Sequence, residues 1–552
     1  MHNRAAFFSL LHRLLLAAAL AILAFYLIVY LAYAANLLLF PFDYDQGEGF
    51  ELVDTILFNR GRWPYMNTEV FPFYSSNYPP LFHVLAAPLV SLFGPAYWYG
   101  RLLGFLATLV TATAIGFAVY REGLAHANRR AYLVTAVLSG LAYLASNTVY
   151  HIGPLFRQHA TMVMFETLAV VVLARALDIV SPRQRRAALL AGLLLIIAAG
   201  YTKQLAAVTL AAAAVFLFLR GPLRAVLWTA LAGAIGAAIF VWMNAATDGE
   251  WWRQAILANV NELHILQTIG LFRQWIGLHG FLIAAAVLLT LHELYFDRLS
   301  LYSVWFVLAV LINGSASGTW GGGDSYFATA IAAACILSGV FAARTLSGGW
   351  HFPENYLSRR LVEPLKPHSA LLRAAGLLII PLLYIGYGRA VLHLPTQEPG
   401  FSQVAQFLQI QPNAQNGFYD SARTADGQYP SGYADIGHFV TAADAEAGWR
   451  IVEMIAQSEK PVLSEEAGFV LQAGREVVTN PTQLLNLDKK GLYDGSALIE
   501  MIERQEFGLV ILRAQFYPER VLQAIGRAYR HTETVRMNGF NYLILRPADG
   551  SS

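Results

Sequence analysis

The sequence predicts a polytopic α-helical membrane protein that carries a soluble α/β domain at its C-terminal end. Two observations about composition lead there. Apolar residues make up 56% of the 552 positions and charged residues only 13%, too greasy and too charge-poor for an ordinary soluble domain. Apolar runs of roughly 20 residues, the length a bilayer crossing needs, recur through the first part of the chain and stop at about residue 393.

Runs of that kind begin near residues 14, 96, 131, 160, 187, 204, 225, 279, 300, 326 and 374, which gives about 11 spans. The first extends from about Leu14 to Phe40, too long for the apolar stretch of a cleaved signal peptide. With the N-terminus inside, the outward loops hold only Arg60, Arg62, Arg157, Lys203, Arg253 and Arg273, and the larger share of the basic residues falls in inward loops. That asymmetry is what a cytoplasmic N-terminus requires. The stretch Pro79–Gly94 is apolar but short and opens on two prolines, so it is expected to lie at the membrane surface inside one large outward loop, residues 41–95.

The domain boundary follows, with a transmembrane part over 1–392 and an extracytoplasmic part over 393–552. The latter alternates extended and helical patterns: PVLSEE, the helix SALIEMIERQ, the apolar run FGLVILRA, the helix PERVLQAIGRAY and a final strand NYLILRP. No glycine-rich fingerprint joins a strand to a helix there, so nucleotide binding has no support. A net charge of +2, with basic residues in short clusters, excludes nucleic acid as a partner. The single cysteine, Cys335, sits in an apolar run and cannot form an internal disulfide.

Chemistry is expected first in the loop leaving the first span, where Asp43, Asp45, Glu48 and Glu51 crowd together. Close carboxylates raise one another's pKa values, which suits a general base, and they are also hard ligands that can hold a divalent cation. The competing reading is a solvated turn held by Gly47 and Gly49. Three basic residues lie where spans meet the outer surface: Arg101, Arg157 and Lys203. Such groups clamp a lipid phosphate, or else snorkel to headgroups. Two acids fall within or beside spans, Glu166 and Asp324, and intramembrane ionisable groups are functional by default. Glu166 has a structural alternative, an ion pair with Arg157 or His159. The aromatic stretch up to Tyr78 anchors the loop at the headgroups or stacks on sugar rings. His83, His151 and His159 show no metal-ligand spacing, so zinc is not indicated.

On these residues the chain resembles the GT-C glycosyltransferases, in particular the bacterial branch of protein O-mannosyltransferases and lipid A aminoarabinose transferases. The matching segments are Asp45 to Glu48, Gly61-Arg-Trp63-Pro-Tyr65, Pro79-Pro80-Leu81, Phe93-Gly94 and Arg101-Leu102. Arg157 resembles the arginine preceding the fourth span of relatives, and Lys203-Gln204 and Asp324-Ser-Tyr326-Phe327 resemble less specific family features. Two departures stand out: Gln46 and Gly47 separate Asp45 from Glu48, and His159 replaces an acid common in relatives.

The resemblance implies an inverting enzyme of the bacterial inner membrane that transfers a sugar from a polyprenyl-phosphate donor to a glycan, lipid or protein acceptor on the outer side. Asp45, or failing it Glu48, with Asp43 beside them, is then the expected base. Arg157, Lys203, Arg101 and His159 are expected at the donor phosphate, and Tyr78, Glu166, Asp324 and Tyr326 at the substrate. No nucleotide-sugar site is then needed, and the cluster Asp43, Asp45 and Glu48 serves either as a site for a divalent cation or as a metal-free base. A transporter or flippase for lipid or lipid-linked sugar is the principal rival, but the internal repeat expected of it is not seen, and the ionisable residues gather at the outer ends of spans. A non-catalytic membrane anchor explains neither the acidic loop nor Lys203.

Overall fold

The computed structural model describes residues 2–123, 129–395, 398–409 and 439–548. Among these, eight helices are long and apolar enough to cross a membrane: Phe7–Leu39, Trp98–Glu122, Gln158–Ala176, Pro182–Thr202, Pro222–Ala246, Ile265–Phe296, Asp324–Ser347 and Ser358–Ala390. Three shorter helices, Arg129–Leu144, Gln204–Arg220 and Leu301–Ala316, stand where the other three spans are expected.

In chain order the membrane part runs α1 (His2–Leu39), α2 (Glu48–Asn59), α3 (Leu81–Phe93), α4 (Trp98–Glu122), α5 (Arg129–Leu144), α6 (Asn147–Ile152), α7 (Gln158–Ala176) and α8 (Pro182–Thr202). It continues through α9 (Ala207–Arg220), α10 (Pro222–Ala246), α11 (Ile265–Phe296), α12 (Leu301–Leu308), α13 (Gly314–Ala316), α14 (Ala328–Ser347) and α15 (Ser369–Ala390). Local sequence explains the breaks. Pro182 opens α8 at its first turn, where its missing N–H costs nothing, and Gly221-Pro222 ends α9 and starts α10. The helix α11 begins earlier than the expected start near 279, because its first turns carry Gln267, Thr268, Arg273 and Gln274 and hide the periodicity. Between α12 and α13 the backbone widens into a π-helical turn, Ala309–Asn313.

The core of the bundle is α14, which packs on α4, α5, α11, α12 and α15. Its small residues, Ala328, Ala330, Ala332, Ala333, Ala334 and Gly339, allow that close approach, the way helices associate where lipid offers no competing hydrophobic drive. By contrast α10 is almost wholly exposed, as a lipid-facing helix should be. The 13 residues of α3 span only about 20 Å, short of the roughly 30 Å hydrocarbon thickness.

Beyond α15 come α16 (Phe401–Phe407), α17 (Ala442–Ala456), α18 (Ala467–Gln472), α19 (Pro481–Lys489), α20 (Ser496–Glu503) and α21 (Glu519–Ala528). They surround a four-stranded sheet of β1 (Val462–Ser464), β2 (Leu509–Leu512), β3 (Tyr529–Met537) and β4 (Phe540–Pro547), in the order β1-β2-β4-β3. The strands β1 and β2 are parallel and the other pairs antiparallel. Three strands and the helices α20 and α21 fall on the segments the sequence marks. The strand β3 was not expected: it is polar on one face, its first residue Tyr529 read as the end of the preceding helix, and the rest carried no assignment. Its signal was the Asn538-Gly539 turn, both residues at positive φ, which the hairpin requires.

This region packs directly on the loop between α1 and α2. Phe42 sits edge-on to Trp449 and lies against Phe469, Gln472 donates to the Pro41 carbonyl at 3.2 Å, and Asn538 donates to the Tyr44 carbonyl at 2.9 Å. The acidic loop is thereby held between the bundle and the sheet.

Candidate active site

The four carboxylates of the loop diverge. Asp43 turns toward the C-terminal region, accepting from the backbone N–H of Gly49, from Tyr97 at 2.7 Å and from the Gly468 N–H at 3.2 Å. Burial pushes its pKa up, held back by the Tyr97 hydroxyl. Glu48 turns into the bundle and meets Arg101. The guanidinium gives it two bonds, Nε to Oε1 at 3.0 Å and Nη2 to Oε2 at 2.8 Å. Arg101's other three donors go to the carbonyls of Leu37, Phe40 and Phe42, each at 2.6 Å. All five N–H groups of a guanidinium are then used. Glu48 also accepts from the backbone of Phe156 at 2.7 Å and Tyr44 at 2.9 Å. Burial would raise Glu48, but the Arg101 charge and these bonds carry it below the ordinary carboxylate value.

Neither partner of that pair is free for chemistry. Arg101, expected at the donor phosphate, and Glu48, the second choice for the base, instead tie the end of α1 to the start of α2 and α4. Both are fully buried, and the motif's apparent crowding of charge is relieved by sending each carboxylate to its own partner.

Asp45 and Arg157 form the other pair. Asp45 Oδ2 receives Nε at 3.1 Å and Nη2 at 2.9 Å, while Asp45 Oδ1 is buried with no hydrogen-bond partner among the described residues. Arg157 also reaches Glu51 at 3.3 Å and donates to the Gln46 carbonyl. Its guanidinium passes 3.1 Å from where a Cβ on Gly47 would lie, and Gly47 has φ of 93°, so glycine is required twice over at that point.

Arg157 lines a cavity of about 550 Å³, with Gln46, Glu51, Tyr78, Lys203 and Tyr326 among its other walls. Lys203 caps the C-terminal end of α8, where the chain turns sharply into a short helical turn, Gln204–Ala206. Its ammonium donates to His159 Nε2 at 2.7 Å and lies 4.5 Å from the centre of the Tyr78 ring. Burial, with the Arg157 charge beside it, lowers the Lys203 pKa to about 7. Asn480, Thr482 and Asn486 of the C-terminal region complete the rim, residues that sequence reasoning missed because nothing local marks them.

The structure thus brings Asp45, Arg157, Lys203, His159, Tyr78 and Tyr326 together. Glu166 and Asp324 fall elsewhere. Glu166 accepts from Thr209 at 2.6 Å and Thr329 at 2.7 Å, tying α7 to α9 and α14 inside the bundle; it does not line the cavity, and among the described residues it makes no ion pair with Arg157 or His159. Asp324 accepts from Thr148 at 2.9 Å and does not line the cavity.

This bundle, with its acidic loop after the first helix and the short helix α3 beside it, shares its fold with solved structures of the membrane protein ArnT. Among solved structures, ArnT from Cupriavidus metallidurans in the apo state superposes with a TM-score of 0.53 at 13% identity, covering 94% of this chain and 98% of that one. ArnT from the same organism bound to undecaprenyl phosphate gives a TM-score of 0.52 at 14% identity, covering 94% and 97%. No protein-family model matches the chain, and no curated protein matches it in sequence.

Proposed function

We propose that this protein is an inverting glycosyltransferase of the bacterial inner membrane, moving a sugar from a polyprenyl-phosphate donor to an acceptor on the extracytoplasmic side. The N-terminus is then cytoplasmic and the part from residue 393 onward extracytoplasmic. The observation that carries this reading is the pairing of a buried carboxylate with two cations at one cavity: Asp45 behind Arg157, with Lys203 on the wall. ArnT, with the same fold, binds undecaprenyl phosphate.

In this reading the acceptor hydroxyl attacks the anomeric carbon as Asp45 takes its proton. The bond from that carbon to the phosphate oxygen breaks, and the polyprenyl phosphate leaves with its charge held by Arg157 and Lys203. Arg157 has a further part. A bound phosphate competes with Asp45 for the guanidinium, so donor binding itself uncovers the base. Tyr78 and Tyr326 supply flat surfaces beside Lys203 for the sugar.

A divalent cation at Asp43, Asp45 and Glu48 does not fit. The Arg157 guanidinium occupies the place beside Asp45, and the oxygens of Asp43 and Glu48 are taken by Gly49, Tyr97, Gly468, Phe156, Tyr44 and Arg101.

The test is release of free polyprenyl phosphate, followed by mass spectrometry, from protein in lipid supplied with a panel of polyprenyl-phosphate sugars and envelope extract. Turnover with one donor and loss of its sugar to an acceptor is expected. A broad panel without turnover, alongside transbilayer movement of the intact donor, would sink the reading in favour of a flippase.

A further inference from the structure

Beneath the cavity wall, α2 and α3 bury three ligand-type side chains against one another. Glu51 and Asp54 are one helical turn apart on α2 and therefore share a face. His83 projects from α3 between them, its Nε2 3.3 Å from Glu51 Oε2 and 3.7 Å from Asp54 Oδ2. Among the described residues this is the one group of three such side chains whose donor atoms all lie within 4.8 Å of one another. All three are buried, and among the described residues His83 Nε2 has no hydrogen-bond partner.

We propose that Glu51, Asp54 and His83 bind one divalent transition-metal ion of zinc type, which clamps α3 to α2 and fixes Arg157 through Glu51. A zinc ion with tetrahedral bonds of about 2.0–2.1 Å holds its donor atoms about 3.3 Å apart, close to the two separations His83 already makes. The surrounding groups are arranged as a ligand set needs. His83 Nδ1 faces Thr55 Oγ1 at 3.5 Å, which leaves the Nε2 lone pair directed at the carboxylates. Asp54 is oriented by Tyr74 at 2.8 Å and by Ser76. Glu51 is oriented by Gln158 and, through its other oxygen, by Arg157.

Charge gives a second, independent argument. Arg157 is shared between Asp45 and Glu51, and Asp54 has only neutral partners. A dication offsets both carboxylates with a neutral imidazole as its third ligand, leaving Arg157 for Asp45 and Lys203 for an incoming phosphate. Because Glu51 forms part of the cavity wall, water from the cavity can take the fourth position. The lack of ligand spacing in the sequence is no obstacle, since the third ligand arrives from a separate helix.

The experiment is zinc binding to the purified chain in lipid nanodiscs, without donor, so that it is independent of the transferase reading. Protein stripped with chelator is given zinc, gel-filtered and analysed by mass spectrometry for bound metal. About one zinc per chain is expected, with a rise in melting temperature and, on cobalt substitution, the intense visible absorption of a tetrahedral site. His83→Gln and Asp54→Asn should each weaken retention about tenfold or more, while Asp45→Asn retains the metal. Wild-type protein that takes up no zinc overturns the proposal even if both variants fail to fold. Loss of metal in Asp45→Asn with retention in His83→Gln overturns it too, by moving the ion to the acidic loop.

Discussion

Two acid–arginine pairs start from the same short loop and end in opposite environments. Glu48–Arg101 is sealed: every donor of the arginine is bonded, both carboxylate oxygens are shared with backbone N–H groups, and no solvent reaches either side chain. Asp45–Arg157 is open: the arginine lines the cavity, and one carboxylate oxygen has no hydrogen-bond partner among the described residues. A saturated buried pair can only hold elements together, whereas an unsaturated one at a cavity can exchange its partner for a substrate. The residue types are alike, and what differs is how many of their bonds the fold has already made.

The largest effect that would break this comparison is on stability. Glu48→Gln leaves the Arg101 charge buried and unpaired, and breaking such a pair costs about 3–5 kcal/mol. Thermal unfolding in detergent should show a drop of a few degrees, and Arg101→Lys should lower the unfolding temperature too, because three donors cannot replace five. A variant as stable as wild type would mean that the pair is not the link it is taken to be.

A smaller effect is expected at the cavity. Lys203→Ala should raise the donor KM about 10- to 100-fold, the loss of one charge-assisted hydrogen bond, with little change in unfolding temperature. The pH dependence sharpens this. The lysine must be charged to hold phosphate, and its pKa in the empty site is about 7. Donor affinity should therefore be full below pH 7 and decline as pH rises above it, since binding then requires proton uptake. In Lys203→Arg, whose side chain stays charged, the decline should disappear. A decline of the same size in both would point to another group.

The sequence made some of this legible. The acidic loop stands out because four carboxylates and two glycines gather in a chain that is otherwise poor in charge, and Lys203 because it breaks a continuous apolar stretch. Arg157 was visible as one of few outward cations. The fate of Arg101 was not visible, because three of its partners are main-chain carbonyls at the end of α1 and carbonyls carry no sequence signature. Glu166 misled for a related reason: the two threonines that satisfy it lie on α9 and α14, and two hydroxyls are enough to keep an acid in a bundle without a substrate. Asp54 was missed, and His83 was set aside as a metal ligand, because side chains brought together from two helices have no spacing to read.

The account rests most heavily on which of the two carboxylates takes the proton. The measurement that tests it most directly is single-turnover sugar transfer by Asp45→Asn and by Glu48→Gln, each normalised to the fraction that is folded and binds donor. Transfer should fall by about 10²- to 10⁴-fold in Asp45→Asn, the contribution of a general base, while the folded fraction of Glu48→Gln should still turn over. Transfer that survives in Asp45→Asn and vanishes in folded Glu48→Gln would contradict it, and would make the sealed pair the catalytic one.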